Sequence, residues 1–239
     1  MMYFKTIIKK LPFARDLVRK ARDLQIYISN YRFIGKYRHM VSGKGRFICC
    51  DKRVKATLSV GQGSRIHING NIIFKSDIGG VGSSHICIGE NATFIVNGDF
   101  VIGPNVQIIL SEGAMLTIGG KNEASASGIT CDSKVMVNRK LSIGTDCIIA
   151  WGVFITDCDW HGIAGRTSVT PTHIADKVWI AHNASILKGT RIGIGCVVAA
   201  HSVCCGRDYP PHALLAGAPA KVAREHIQWS REMALEMHT

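Results

Sequence analysis

The run Thr156-Asp157-Cys158-Asp159-Trp160-His161 holds the densest group of reactive side chains in the chain. A neutral imidazole near a carboxylate is equipment for general-base work. The ring takes a proton from an attacking hydroxyl, and the carboxylate fixes the tautomer and steadies the imidazolium. His161 is the candidate base, and either Asp157 or Asp159 would orient it. A lone loop histidine is more often just solvated, so this reading leans on its surroundings. The ten histidines include no pair within five positions, which removes the local His pairs of many zinc sites. His182 and His201 are nineteen apart and would align on a repeat of that length, but a third ligand is not evident, so no metal is expected. Nine cysteines show no C-x-x-C, and the adjacent pairs 49/50 and 204/205 suit neither zinc nor a disulfide frame. They read as buried, reduced thiols of a cytosolic protein, and none is cast as a nucleophile.

A six-residue repeat surrounds these residues. From Ile174 the steps fall on Ile180, Ile186, Ile192 and Val198, and the fifth place of each block is Val178, Ala184, Thr190, Cys196 or Ser202. The same step runs through Val137, Ile143, Ile149 and Ile155, and through Val54, Val60, Ile66, Ile72 and Ile78. Ile88, Phe94 and Phe100 continue it, as do Ile102 and Ile108. A period of six is neither the two of a strand nor the 3.6 of a helix. One short strand plus one tight corner takes six residues, and three such faces close a triangular coil. The aliphatic residue plugs the interior and the small one fits the crowded corner, with Gly and Asn at corners that need unusual dihedrals. Thirty Ile and seventeen Val against eleven Leu agree with strands. Residues 54–203 would make roughly eight coils, a prism about 40 Å tall at a ~4.8 Å stacking distance. The step is broken between Ile155 and Ile174, where nineteen residues stand for eighteen; residues 156–173 read as an excursion.

Charge divides the chain. Residues 1–55 carry 15 Lys+Arg against 3 Asp+Glu, and the remainder is neutral. A neutral body argues against nucleic acid as partner. Residues 2–30 have helical spacing, with Pro12 kinking or restarting the helix. Two readings of this leader stand: a packing helix, or an interfacial helix on anionic lipid through residues 1–40. The start shows neither a secretory h-region nor a spanning segment, so a cytoplasmic protein, peripheral at the inner face of the membrane on the second reading, is expected. The expected organisation is a basic amphipathic leader (1–45), the repeat domain (46–223) and a closing C-terminal helix (224–239).

Three signatures in order, the DCDWH loop, VWIAHNASILKGTRIGIGCVVAAHSV and YPPHALLAGAPAKVAR, resemble the hexapeptide-repeat acyltransferases. The resemblance covers about residues 54–224 and is nearest to the sugar O-acetyltransferases of the maltose, galactoside and surface-polysaccharide type. It implies an all-β, left-handed parallel β-helix, a homotrimer, and acetyl-CoA lying between neighbouring prisms. Carried over residue by residue, the loop base falls on His161. The coenzyme arm falls on Ala181, His182, Ala199 and Ala200, and the basic residues at its nucleotide end fall on Lys221 and Arg224. Trp160 and Trp151 are candidate walls for the acceptor. The chain departs from the family pattern at Ala181, where Gly is usual, at His182, and at Ala218, where Asn is common.

The resemblance implies transfer of an acetyl group to a sugar hydroxyl of O-antigen, capsule or exopolysaccharide, on an acceptor that is free or lipid-linked. A backbone N–H at a corner would hold the oxyanion. Three rival readings stand beside this one. A β-helix carbonic anhydrase lacks its third histidine. A non-catalytic scaffold needs neither the DCDWH loop nor the AGAPAKVAR tail. An N-acetyltransferase of a nucleotide-linked amino sugar would keep the fold and depend less on His161.

Overall fold

The computed structural model describes residues 20, 21, 24, 35–50, 54–76, 80–120 and 127–232. Most of the expected leader lies outside the described residues. Residues 35–37 are helical and Arg38–Met40 form a 3-10 turn, after which the coils begin at Val41, a few residues earlier than expected.

The chain winds as a left-handed parallel β-helix. Among the described residues, face 1 holds eight strands, from Val41–Ser42 to Asp208–Tyr209; face 2 holds nine; and face 3 holds seven, from Val54–Val60 to Val203–Cys204. Every neighbour on a face is parallel except the last strand of face 2, Ala220–Arg224, which turns back antiparallel on Leu214–Gly217. The coils number seven complete turns and an eighth with two faces.

The six-step frame is the core. Ile174, Ile180, Ile186, Ile192 and Val198 are all sealed from solvent, as are Val137, Ile143, Ile149 and Ile155. In the lower coils Phe74 fills the slot of Ile149, in register through Ile102 and Ile129, while Phe94 and Phe100 are sealed at the inward position two residues earlier. Val60 departs from the frame and is only partly buried, while Ile78 lies outside the described residues. Corners follow one recipe. A residue in the left-handed region, such as Asn91 (φ 54°), Asp146 (φ 54°), Asn183 (φ 55°) or Gly195 (φ 71°), is followed by a small buried one: Ala92, Cys147, Ala184 or Cys196. Asn, Asp and Gly pay the least for that backbone, and the small neighbour leaves room for the chain to turn.

The excursion expected over residues 156–173 stands at that place. Face 3 leaves at Phe154–Thr156 and face 1 resumes at Thr172–Ile174, pairing directly with Leu141–Ile143. The coil count is kept, and the extra residues are an insertion at one corner. Thr156 and Thr172 close its base, both buried, with Thr172 Oγ1 donating to the Thr156 carbonyl at 2.9 Å.

The C-terminal helix expected over 224–239 is absent from its described part. Residues 220–224 are strand and 225–232 form an irregular strap; residues 233–239 lie outside the described residues. The strap descends the edge between faces 1 and 2. Ile227 N–H donates to the His212 carbonyl (2.8 Å), Trp229 Nε1 to the Lys177 carbonyl (3.0 Å), and Arg231 Nε to Asp146 Oδ1 (2.8 Å). Each anchor sits on a different coil. Those point contacts satisfy the tail without the intrahelical bonds that a regular helix would offer.

Candidate active site

The insertion is a pinned hairpin. Asp159 N–H donates to the Ser168 carbonyl (2.9 Å) and Thr170 N–H to the Asp157 carbonyl (2.9 Å), with Cys158 bridging Val169 antiparallel. Its tip carries Trp160, held in the left-handed region (φ 64°), and the exposed His161. Lys188, at the same edge one coil on, ties the hairpin down. Its Nζ lies 2.5 Å from Asp159 Oδ2 and also donates to the Thr167 carbonyl.

Both aspartates are therefore committed elsewhere, which corrects the expectation that one of them orients the ring. Asp157 is fully buried and accepts from three successive backbone amides: Asn138 (2.7 Å), Arg139 (2.8 Å) and Lys140 (2.6 Å). Such a nest of N–H donors is the cheapest place for a carboxylate away from water. Asp159 answers Lys188. Among the described residues no group hydrogen-bonds the His161 imidazole, which stands in solvent at the hairpin tip.

The residues expected along the acyl donor gather on a different edge, between faces 2 and 3. Ala150, Ala181, Ala199 and Ala216 occupy the first corner position on successive coils, linked by Ala150 N–H to Ile180 O (2.9 Å), Ala181 N–H to Val198 O (2.9 Å) and Ala199 N–H to Leu215 O (2.8 Å). Trp151, His182 and Ala200 occupy the second. Trp151 and His182 stack one coil apart, with ring centroids at 5.3 Å and planes 14° apart, and His201 meets His182 edge-on at 5.1 Å. Among the described residues the N–H groups of Trp151, His182 and Ala200 have no partner, so this edge offers a row of amide donors beside small side chains. Lys221 lies at its upper end, in register with Ala216; Arg224, opposite Leu214, is farther along the same exposed strand. Small, donor-rich and capped by cations, this groove suits an extended chain ending in phosphates.

Within one chain His161 and the groove are thus separated by the whole of face 3. The structure unites Trp151, Ala181, His182, Ala199, Ala200 and Lys221, and sets Trp160 and His161 apart on the next edge. Burial pushes Cys49, Cys147 and Cys204 up to about 12 and Cys131 to about 11, so these four supply no thiolate near neutral pH. Among the described residues no group of three metal-ligating side chains converges.

Sequence reasoning passed over Trp179. It points outward from face 2, 39% exposed, two residues from Ala181 and 6.1 Å from Trp229 of the strap. It belongs to an outward column, Ile73, Val101, Ile148, Trp179, Val197 and Leu214, that leaves face 2 apolar on its outer side. The signal was present: each lies one residue from an inward-facing position. The strap partners Trp229 and Arg231 had no comparable signal.

No family model matches the chain. An acetyltransferase of Mycobacterium tuberculosis (strain ATCC 25618 / H37Rv), provisionally so named, Rv3034c, is 29% identical over 169 residues, 60% of this chain and 56% of that protein. WbbJ of Escherichia coli (strain K12), provisionally named a lipopolysaccharide biosynthesis O-acetyl transferase, is 35% identical over 103 residues, 37% of this chain and 52% of its own length. The chain thus spans about half the length of these curated relatives. Among solved structures, the polysialic acid O-acetyltransferase OatWY superposes with a TM-score of 0.55 at 25% identity, covering 84% of this chain and 95% of OatWY. With its sixfold step, its left-handed prism and these likenesses, the chain is similar to the hexapeptide-repeat acetyltransferases in sequence and fold.

Proposed function

We propose that the protein is an acetyl-CoA-dependent O-acetyltransferase that acetylates a saccharide hydroxyl in surface-polysaccharide assembly, and that it works as a homotrimer. The observation that carries this reading is the placement of an exposed, hairpin-borne imidazole on one edge and a small-residue, donor-lined groove on the next. Neither edge is a site alone. A threefold arrangement would bring the His161 hairpin of one protomer to the Ala181–Ala199 groove of another. The apolar outer column of face 2, half-exposed for most of its length and open to solvent at Trp179, supports self-association. WbbJ, provisionally named an O-acetyl transferase of lipopolysaccharide biosynthesis, and OatWY, a polysialic acid O-acetyltransferase, support the acceptor class.

In this mechanism the groove takes the pantetheine arm of the acyl donor against the alanines, and Lys221 and Arg224 take its phosphates. Neutral His161 accepts the proton of the acceptor hydroxyl as that oxygen bonds to the thioester carbonyl carbon, a role that typically contributes 10²–10⁴-fold. An unpartnered corner amide, that of His182 or Ala200, holds the oxyanion. The C–S bond then breaks and the departing thiolate recovers the proton from His161. Trp160, beside the base, and Trp151, stacked under His182, flank the acceptor. The basic leader would keep the enzyme at an anionic membrane surface.

The test is thiol release from acetyl-CoA over a panel of glycan acceptors. Wild type should turn over at least one saccharide, and His161→Ala should lose 10²-fold or more in kcat. Near-normal turnover of an amino sugar by His161→Ala would favour amine acetylation; no thiol release with any acceptor would remove the enzymatic reading.

A further inference from the structure

The base of the prism holds a cavity that the acyl-transfer reading does not use. It has a volume of about 420 Å³ and is lined, among the described residues, by Arg38, Val41, Lys44, Arg46, Phe47 and Asn71. Arg38 comes from the 3-10 turn. Lys44 and Arg46 come from the first corner between faces 1 and 2, where Gly43 (φ 94°) and Gly45 let the chain press against the coil above. A Cβ on Gly45 would run into the Gly70 carbonyl oxygen, so this corner is fixed and its two cations are presented from a rigid frame. Phe47, 4% exposed and stacked on Phe74, gives the cavity an apolar floor together with Val41.

Three cations share this small volume without a carboxylate. Among the described residues neither Arg38, Lys44 nor Arg46 has an acidic partner, and residues 35–50 contain no Asp or Glu. Elsewhere on the coils the chain does supply one: Lys188 meets Asp159, Arg191 meets Asp208, and Arg231 meets Asp146. Asp99, on the second coil above, is turned to Asn71, accepting from its backbone N–H (2.7 Å) and its side-chain amide (2.8 Å). Three exposed cations around one opening favour a multiply charged anion, which can meet several of them at once. Arginine forks match the oxygens of a phosphate, and the Val41–Phe47 floor matches carbon attached to it.

We propose that this cavity binds the phosphate group of a phosphate ester. The ester would be either an anionic lipid headgroup or a soluble organic phosphate. The cavity lies on the first two coils and His161 leaves after the fifth, so the inference stands independently of the acyl-transfer reading.

The experiment uses the full-length chain with its leader intact and two probes. One is vesicles of phosphatidylglycerol against vesicles of phosphatidylcholine, read by co-sedimentation; the other is glycerol 3-phosphate, read by calorimetry. The variants are Arg46→Gln and the triple change Arg38→Gln, Lys44→Gln, Arg46→Gln. Each lost cation should weaken binding about fivefold and the triple roughly 100-fold, with an unchanged thermal midpoint. Loss in the vesicle arm alone assigns a lipid headgroup; loss in the glycerol 3-phosphate arm assigns a soluble ester. Wild type binding neither probe, or Arg46→Gln and the triple variant binding as wild type does, would overturn the proposal. The second result would leave the leader as the sole anionic contact. Should the triple variant melt early, the single variant decides.

Discussion

Asp157→Ala separates a structural carboxylate from a catalytic one. Asp157 is fully buried and accepts three backbone N–H bonds of 2.6–2.8 Å from Asn138, Arg139 and Lys140, at the turn where face 3 gives way to face 1. Hydrogen bonds to a charged acceptor are worth about 1.5–3 kcal/mol each. Arg139 and Lys140 are exposed residues, so water can partly replace the acceptor, and the three together come to about 3 kcal/mol rather than their full sum. For a domain of this size that lowers the melting temperature by about 6–12 °C. Asp157→Asn should fall between, because its NH₂ group must face at least one of the three donors. Calorimetric melting and thiol-release kinetics, taken side by side well below the melting point, make the assay. The expected result is a large drop in melting temperature with kcat/KM within about threefold of wild type, whereas His161→Ala shows the reverse. If Asp157→Ala melts like wild type yet loses kcat and shifts the pH profile, the carboxylate orients His161 in the assembled enzyme. The structural assignment would then fail.

Subunit mixing tests the composite site. His161→Ala and Ala200→Trp should each be inactive alone, and co-assembled at equal amounts they should recover about a quarter of wild-type activity, since one interface in four joins an intact hairpin to an intact groove; no recovery would place the site within one chain. The buried thiols impose an alkaline limit. Cys147 and Cys204 are raised from 9.0 to about 12 by burial, so above pH 9 the unfolded chain releases protons that the folded chain keeps. Their contribution is complete below pH 9 and is lost as pH rises toward 12, at roughly 1.4 kcal/mol per unit per thiol. Chemical denaturation from pH 8 to 11 should show that slope, flattened in Cys147→Ala with Cys204→Ala. Arg231→Met should cost about 1 kcal/mol, given a part-exposed pair with Asp146, and should speed hydrogen exchange across residues 225–232; unaltered exchange would mean that the Ile227 and Trp229 anchors hold the strap.

The prism was readable because its interior admits one kind of residue at one spacing. Ile174 to Val198 could hardly serve anything else, and the fifth-place residues Val178, Ala184 and Cys196 sit in the corners their size suggests. What the repeat does not encode is the edge to which a residue goes. Asp157 lies four residues from His161 in sequence, yet the hairpin begins at Asp157, so its carboxylate is drawn to the amides of 138–140 while His161 is carried out to the tip. Trp179 was hidden for a related reason: a six-residue frame locates the inward position and says little about the residue beside it. The tail misled because residues 224–239 contain no Gly or Pro to break a helix. In the folded chain, Trp229 and Arg231 find partners on the coils that a short isolated helix could not outbid.

The inserted hairpin shows why this fold separates stability from chemistry by edge. A coil is held by its neighbours above and below, so extra residues at a corner disturb only local contacts, provided that the strands on either side keep register. Thr156 and Thr172 meet at the base of the insertion, and Ile155 and Ile174 hold their inward places as though nothing intervened. Each edge is then free to carry its own device: the strap between faces 1 and 2, the alanine groove between faces 2 and 3, the hairpin between faces 3 and 1. That freedom has a geometric consequence. Side chains on two edges of a rigid triangular prism cannot converge by bending it, because every face is hydrogen-bonded along its length. The proposed chemistry, which needs both the His161 imidazole and the Ala181–Ala199 groove, would therefore require a second protomer.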